Sequence, residues 1–330
     1  MQTYINDCLL WQDKRATGMF KSCPEDFVVE EGLDWDFKGQ GEHLFLQIEK
    51  TNCNTAWVAK QLARFYKVPP RDVGYSGLKD RQAVTKQYFS IRLPGIKPGS
   101  YELPEHKEYR VIAHHLHDKK LKRGYHQYND FTVRLRDVTG DHAVLQQRLA
   151  FICQHGCPNF FDSQRFGHNK HNLHRLSAWI KGDIEPRKRD EKGLLLSALR
   201  ASVFNRQLAE RVKKNSWQRV LTGDTVILDG SNSRFQIEKV DEIIRRRAVH
   251  KDIHPAGVLV GADSDFVGNS ERLAILMRRE HLQESYRSFR LNVRQLKWDC
   301  QGKDWLIRMR LPTGAYASGV IRQLFRLTGK

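Results

Sequence analysis

The sequence predicts a mixed α/β (α+β) protein in which strand-rich segments enclose a mainly helical one. Three observations carry this expectation. Strand alternation recurs in the first 150 residues, where Leu44, Leu46 and Ile48, and again Phe131, Val133 and Leu135, fall at every second position, against polar neighbours save for Phe45. From about residue 153 helical spacing takes over, and its longest run covers 193–214. Alternation then returns, with Trp305, Ile307, Met309 and Leu311 on one side of a strand. Strands, helices and strands again are the order that one domain inserted into another would give.

Taken in order, 27–31 and 43–50 read as strands. Asn54 is placed to cap a helix carrying Trp57, Val58, Leu62 and Phe65, which Pro69 and Pro70 end. Strands follow at 87–93, 109–115 and 131–136, and Asp141 opens a helix through 152. Helices are expected at 172–180, 193–214 and 271–286, with a β-like stretch at 225–239 between them; 245–270 has the least regular pattern. Strands at 291–298 and 305–311 flank a turn at 300–303, and the last helix bears Val320, Leu324 and Phe325. No stretch approaches the roughly 18–20 apolar residues needed to cross a bilayer. The first 15 residues lack a basic leader followed by an apolar run, so the expected compartment is the cytoplasm.

Charge narrows the partners. Lys and Arg number 56 against 38 Asp and Glu, a net +18. The excess is divided between 153–290 (+8) and the remainder (+10), as it would be if a polyanion lay between two parts. No polybasic tail or basic amphipathic helix points to a membrane surface. The six cysteines (Cys8, Cys23, Cys53, Cys153, Cys157 and Cys300) are read as reduced thiols, since a lone C-x3-C is a poor zinc signal. His168, His171 and His174 could share a helix face, but no metal is assigned to them.

Residues 74–91, GYSGLKDRQAVTKQYFSI, carry the chemistry. A Gly-Leu-Lys-Asp-Arg loop between strands sets Asp80 between Lys79 and Arg81, which would hold it as a carboxylate able to act as nucleophile or base. On spacing alone the same segment is also an ordinary charged turn. It resembles the signature of the TruD family of tRNA pseudouridine synthases, roughly G-x-K-D-[KRH]-x-A-V-T-x-Q, with Gly77, Lys79, Asp80, Ala83, Val84, Thr85 and Gln87 in register. Further blocks are similar to that family. Phe20-Lys21 with 24–31 resembles an N-terminal block in which a lysine and a glutamate line the catalytic cleft, here Lys21 and Glu30. Gly124, Asn129 and Phe131 resemble G-x4-N-x-F, and 159–167 resembles N-[YF]-F-G-x-Q-R-F-G, with Gln164 and Arg165 in register and Asp162 where glycine is usual. Residues 311–318 resemble L-P-x-G-[SA]-F-A-[ST], with Tyr316 at the place of an active-site phenylalanine.

The resemblance implies the pseudouridine synthase fold, a largely antiparallel sheet with flanking helices, carrying a large helical insertion in a V-shaped molecule. The catalytic domain would be 1–152 and 291–330 and the inserted TRUD domain 153–290. It implies isomerisation of a tRNA uridine, position 13 of the D arm, in tRNA-Glu, by a monomer without cofactor or metal. Asp80 is then the catalytic carboxylate. Lys21, Glu30, Lys79, Arg81, Asn129, Phe131, Gln164, Arg165 and Tyr316 contact substrate, and the target base must be flipped out of the RNA to be reached. Two rivals use the same residues differently. A metal-dependent RNA nuclease would pair Asp80 with Glu30 or Glu31 on a divalent ion, and an RNA-binding module would need only the charge.

Overall fold

The structure, a computed structural model, describes residues 9–11, 15–264 and 271–328. Within these the chain forms two compact units. A sheet unit comprises Ala16–Leu149, Val293–Gly314 and 325–328; a helical unit comprises Ala150–Asn292, Ala315–Leu324 and the described residues before Ala16. The units divide at 149/150 and 292/293, and 315–324 belongs to the helical unit. Cys8 lies outside the described residues.

In chain order the sheet unit runs β1 (Ala16–Phe20), β2 (Phe27–Gly32), β3 (His43–Thr51), α1 (Thr55–Phe65), β4 (Val73–Tyr75), β5 (Val84–Arg92), β6 (Tyr109–His117) and β7 (Tyr128–Thr139). Helix α2 (His142–His155) contains the unit boundary. The helical unit continues with β8 (Cys157–Pro158), α3 (His171–Lys181), α4 (Arg189–Lys213), β9 (Thr225–Leu228), β10 (Arg234–Gln236), α5 (Glu242–Val249), β11 (Ile253–Leu259), α6 (Glu271–Arg279), β12 (Ser285–Ser288) and β13 (Arg290–Leu291). The chain ends with β14 (Arg294–Gln301), β15 (Asp304–Pro312), α7 (Ala317–Leu324) and β16 (Phe325–Thr328).

Ten strands make one sheet along the path β14-β15-β7-β2-β5-β3-β6, with β1 paired to β7 and β16, and β4 to β5. Pairing is antiparallel except for β2 with β5 and β1 with β16. Alternation decides what each strand buries: Leu44, Leu46 and Ile48 of β3 join Phe89 and Ile91 of β5 under Val58, Leu62 and Ala63 of α1. On β15, Trp305, Ile307, Met309 and Leu311 are all buried, as their spacing requires. The helical unit has its own core, in which Leu195, Leu199 and Phe204 of α4 pack with Leu176 and Trp179 of α3. Among the described residues no helix is long and apolar enough to cross a membrane.

Four local expectations are corrected. Asn54 occupies the cap position of α1, but its backbone carbonyl accepts from Trp57 and Val58 while its side chain makes no cap bond. The helix expected over 271–286 stops at Arg279. His281 takes a left-handed φ of 50°, and 285–288 extend to pair with β11, which satisfies the backbone that a helix would otherwise satisfy. The irregular-looking 245–270 contains most of α5 and all of β11, and 265–270 lie outside the described residues. Phe325 is the first residue of β16 rather than helical, because it pairs with Ala16.

Since Leu46 is fully buried between two paired strands and α1, Leu46→Ala should lower the unfolding free energy by about 2–5 kcal/mol. Urea denaturation checks this, and an unchanged midpoint would contradict the packing described.

Candidate active site

Between β4 and β5 the chain makes an irregular turn whose backbone is tied on both sides. The Lys79 amide donates to Thr55 Oγ1 at 3.1 Å, Thr55 Oγ1 donates to Gln87 Oε1 at 2.8 Å, and Gln87 Nε2 donates to the Gly77 carbonyl at 3.3 Å. The start of α1 and the middle of β5 therefore hold the turn through two buried polar side chains. Leu78, 66% exposed, Arg81 and Gln82 emerge from it, and the Asp80 side chain is 34% exposed.

Asp80 is paired with Lys21, Nζ to Oδ2 at 2.5 Å. Lys21 follows β1 with φ of 58°, a left-handed conformation uncommon outside glycine and asparagine. The segment after it fixes that bend. Asp26 is fully buried, accepts the Cys23 amide at 3.2 Å, and takes both oxygens to Arg136 Nε on β7 at 2.9 Å. Burial alone would push the Asp26 carboxyl up; Arg136 and the Cys23 amide outweigh it and hold it below the usual range. The Lys21 ammonium also lies 3.9 Å from the Phe27 ring centroid. The flanking cations of the sequence reading have other partners. Arg81 donates Nε to the Asn52 carbonyl at 3.3 Å, and Lys79 turns to a separate network. Adjacency to Asp80 thus does not make them its partners.

Lys79 Nζ is 3.2 Å from Glu31 Oε2 and donates to Asn129 Oδ1 at 2.5 Å. Register explains the meeting: in the β2–β7 pairing Glu31 faces Asn129 and Val29 faces Phe131, so Glu31, Asn129 and Phe131 share a face. Glu30 faces Asp130 on the opposite side of the sheet, half exposed, where it pairs with Lys86 at 3.1 Å. Burial pushes the Glu31 carboxyl up against the pull of Lys79, and burial pushes the Lys79 ammonium down against the pull of Glu31. A third buried charged group is nearby: Lys50, at the end of β3, donates to the Cys53 carbonyl at 2.6 Å. Burial brings it down to about 8, opposed by Cys53 and Asp80 and aided by Lys79.

Gln164, Arg165 and Tyr316 belong to the helical unit. Arg165 Nη2 donates to the Tyr316 hydroxyl at 2.7 Å and Nη1 donates to Ser197 Oγ at 2.8 Å, so the phenol's hydrogen-bond partner is this guanidinium. The Tyr316 ring meets Phe161 edge-on at 6.4 Å. Gln164 is exposed. Asp162 has φ of −76°, so the turn asks for no glycine; its carboxylate accepts from Ser163 and Ser318, with Arg322 Nε at 3.7 Å. Asp162 thus ties the Gln164–Arg165 turn to α7 immediately after Tyr316. Among the described residues no group of three His, Cys, Asp or Glu is arranged to hold a metal, and His168, His171 and His174 are all exposed.

Comparison with known proteins fits this geometry. The profile of tRNA pseudouridine synthase D (TruD) matches residues 5–187 and 188–324. The chain belongs to the TruD family. Within it, a tRNA pseudouridine synthase D from Nitrosococcus oceani is 40% identical, covering 94% of this chain and 91% of the relative. One from Methylococcus capsulatus is 40% identical over 93% and 90% of the two chains. A solved structure from Methanosarcina mazei described as TruD matches 96% of this chain and 95% of its own with a TM-score of 0.72 at 19% identity, which shows the shared fold. TruD proteins are isomerases, and this chain is one of them.

From sequence, Lys50 has no assigned role and Glu31 enters only as a metal ligand of the nuclease alternative. Both continue the buried phase of their strands, Phe27–Val29–Glu31 in β2 and Leu44–Leu46–Ile48–Lys50 in β3, so alternation already points them inward, and pairing register adds that Glu31 lies opposite Asn129. Removing one partner of a buried ion pair costs about 3–5 kcal/mol because the other charge is stranded. Glu31→Gln should therefore lower the unfolding free energy by about 3 kcal/mol, and Glu31→Gln with Lys79→Met should recover most of it. Urea denaturation of both decides this. A single variant as stable as the parent would contradict the coupling.

Proposed function

We propose that this chain converts a uridine of tRNA to pseudouridine at the sheet-unit site, with Asp80 as the catalytic carboxylate. The observation that carries the reading is a partly exposed carboxylate on a tethered turn, held by Lys21 and next in sequence to Lys79 of the Lys79–Glu31–Asn129 network, with Phe131 on the sheet face that carries Asn129. The reaction breaks the C1′–N1 bond, turns the uracil and forms C1′–C5, with the C5 proton lost and one gained at N1. No electrons enter or leave, so a carboxylate and ordered polar groups are a sufficient set. Asp80 attacks the target nucleoside or takes its proton; Asn129 and Phe131 hold the flipped base by an edge hydrogen bond and an aromatic wall. Lys79 acts through Asn129, which its ammonium orients.

We further propose the sheet unit as the catalytic domain and the helical unit as the carrier of the inserted TRUD domain, with Gln164, Arg165 and Tyr316 on the substrate side. The finer target is uridine 13 in the D arm of tRNA-Glu, and the working form a cytoplasmic monomer. The net charge of +18 supports a polyanionic substrate.

Incubating the protein with unmodified tRNA and mapping pseudouridine by carbodiimide labelling should reveal one new modified position, undiminished by EDTA. Asp80→Asn should abolish it while tRNA affinity stays within about twofold, since the amide keeps the size but cannot act as nucleophile or base. Substantial turnover by that variant would remove Asp80 from the mechanism.

Tyr316 gives a separate test. If its ring bounds the substrate, Tyr316→Ala should lose roughly ten- to a hundredfold in kcat/KM, the worth of a base–aromatic stack. Tyr316→Phe should be nearly neutral, because Arg165 keeps Ser197. An inactive Phe variant that still binds tRNA would assign the hydroxyl a chemical role.

A further inference from the structure

The connection between β6 and β7 has a composition its position in the sheet does not explain. Residues 118–127 read Asp-Lys-Lys-Leu-Lys-Arg-Gly-Tyr-His-Gln: four cations within five positions, then an aromatic. Mutual repulsion would normally leave such a stretch loose. Here it is pinned along its length. Leu121 is buried and its amide donates to Ser90 Oγ at 3.0 Å. Arg123 Nη2 donates to the Tyr75 hydroxyl at 3.0 Å and its guanidinium stands 5.0 Å from that ring's centroid. The Gly124 amide donates to the Ser76 carbonyl at 2.8 Å, and the buried His126 donates its amide to Ser76 Oγ at 2.7 Å with its ring Nδ1 2.5 Å from the same oxygen.

The pinning leaves a defined set of side chains outside. Lys119, Lys122, Arg123 and Tyr125 are exposed, Tyr125 by 43%, although Trp35 meets its ring edge-on at 5.6 Å. Ser76, the main anchor, stands four residues before Asp80 on the same turn. A Cβ added at Gly77 would come within 3.2 Å of the His126 ring, so loop and turn are in close contact. A fixed row of cations with one exposed aromatic is the arrangement that takes unpaired RNA: phosphates on the cations, a base on the ring, without sequence preference.

We propose that residues 119–125 form a second RNA-contact site, in which Tyr125 stacks on an unpaired base of the tRNA near the target and Lys119, Lys122 and Arg123 take the neighbouring phosphates. The assignment rests on the tRNA reading above. Through Ser76 it gives the catalytic turn a rigid connection to RNA bound outside the pocket.

The test uses the full chain, unmodified tRNA, and the variants Tyr125→Ala, Tyr125→Phe and Lys119→Ala with Lys122→Ala, none of them in the pocket. For the double lysine variant the log–log salt dependence of tRNA binding should flatten by about 1.4–1.8, two contacts at about 0.7–0.9 each. Its kcat at saturating tRNA should be unchanged. Tyr125→Ala should weaken Kd roughly ten- to a hundredfold, and Tyr125→Phe should bind within twofold of the parent. An unaltered salt slope, or full affinity in Tyr125→Ala, overturns the proposal while leaving the catalytic reading intact if the parent protein converts uridine. Loss of kcat with unchanged Kd also overturns it, because the loop would then only brace the turn. A parent protein that forms no pseudouridine fails the catalytic reading itself and takes this one with it.

Discussion

The ion pair between Lys21 and Asp80 joins two segments 59 residues apart in sequence, and most of the surrounding construction keeps those segments where they can meet. A lysine on a free strand end would lose side-chain entropy on pairing and return little for a partly exposed contact. That cost is met in advance. The bend at Lys21 is set by Asp26, whose buried carboxylate is locked to Arg136 of the long strand β7. The turn bearing Asp80 is set by Thr55 and Gln87, which connect it to α1 and β5. Both halves of the pair are therefore positioned by the sheet before they touch.

A second constraint follows from having Lys79 beside Asp80. Two adjacent charges on one turn could neutralise each other, leaving the carboxylate without a role. Lys79 turns inward instead, to Glu31 and Asn129, where burial works against both charges and makes each depend on the other. The parallel pairing of β2 with β5 and the antiparallel pairing of β2 with β7 bring these strands side by side. The sheet order thus decides which of two consecutive glutamates, Glu30 or Glu31, meets the network.

Much of this was legible in the amino-acid order. The alternation at 43–50, 131–136 and 305–311 returned as β3, β7 and β15 with the expected residues buried, because period-two burial follows directly from strand geometry. Asp80, Lys21 and Asn129 were marked by motif. What escaped depended on partners distant in sequence. Lys79 and Arg81 looked like partners of Asp80 by adjacency, yet the partner is Lys21; Glu31 entered only as a metal ligand of the nuclease alternative and Lys50 not at all, although both continue the buried phase of their strands. The helix expected across 271–286 failed for the same reason, since β11 offers 285–288 an edge that local spacing cannot reveal. Asp162 raised the reverse problem. It stands where the family usually has glycine, yet its own backbone is extended and asks for none, and its carboxylate is used to bind α7.

The central claim is that Lys21 positions the Asp80 carboxylate for chemistry, and the direct measurement is a double-mutant cycle on single-turnover pseudouridine formation. Lys21→Met keeps most of the stem and removes the ammonium. The account predicts a loss of about ten- to a hundredfold in the chemical step, the worth of a charged hydrogen bond of about 1.5–3 kcal/mol, with tRNA affinity nearly unchanged. It also predicts no further loss when Lys21→Met is added to Asp80→Asn, because the two act as one unit. A Lys21→Met enzyme that turns over at the parent rate would contradict it.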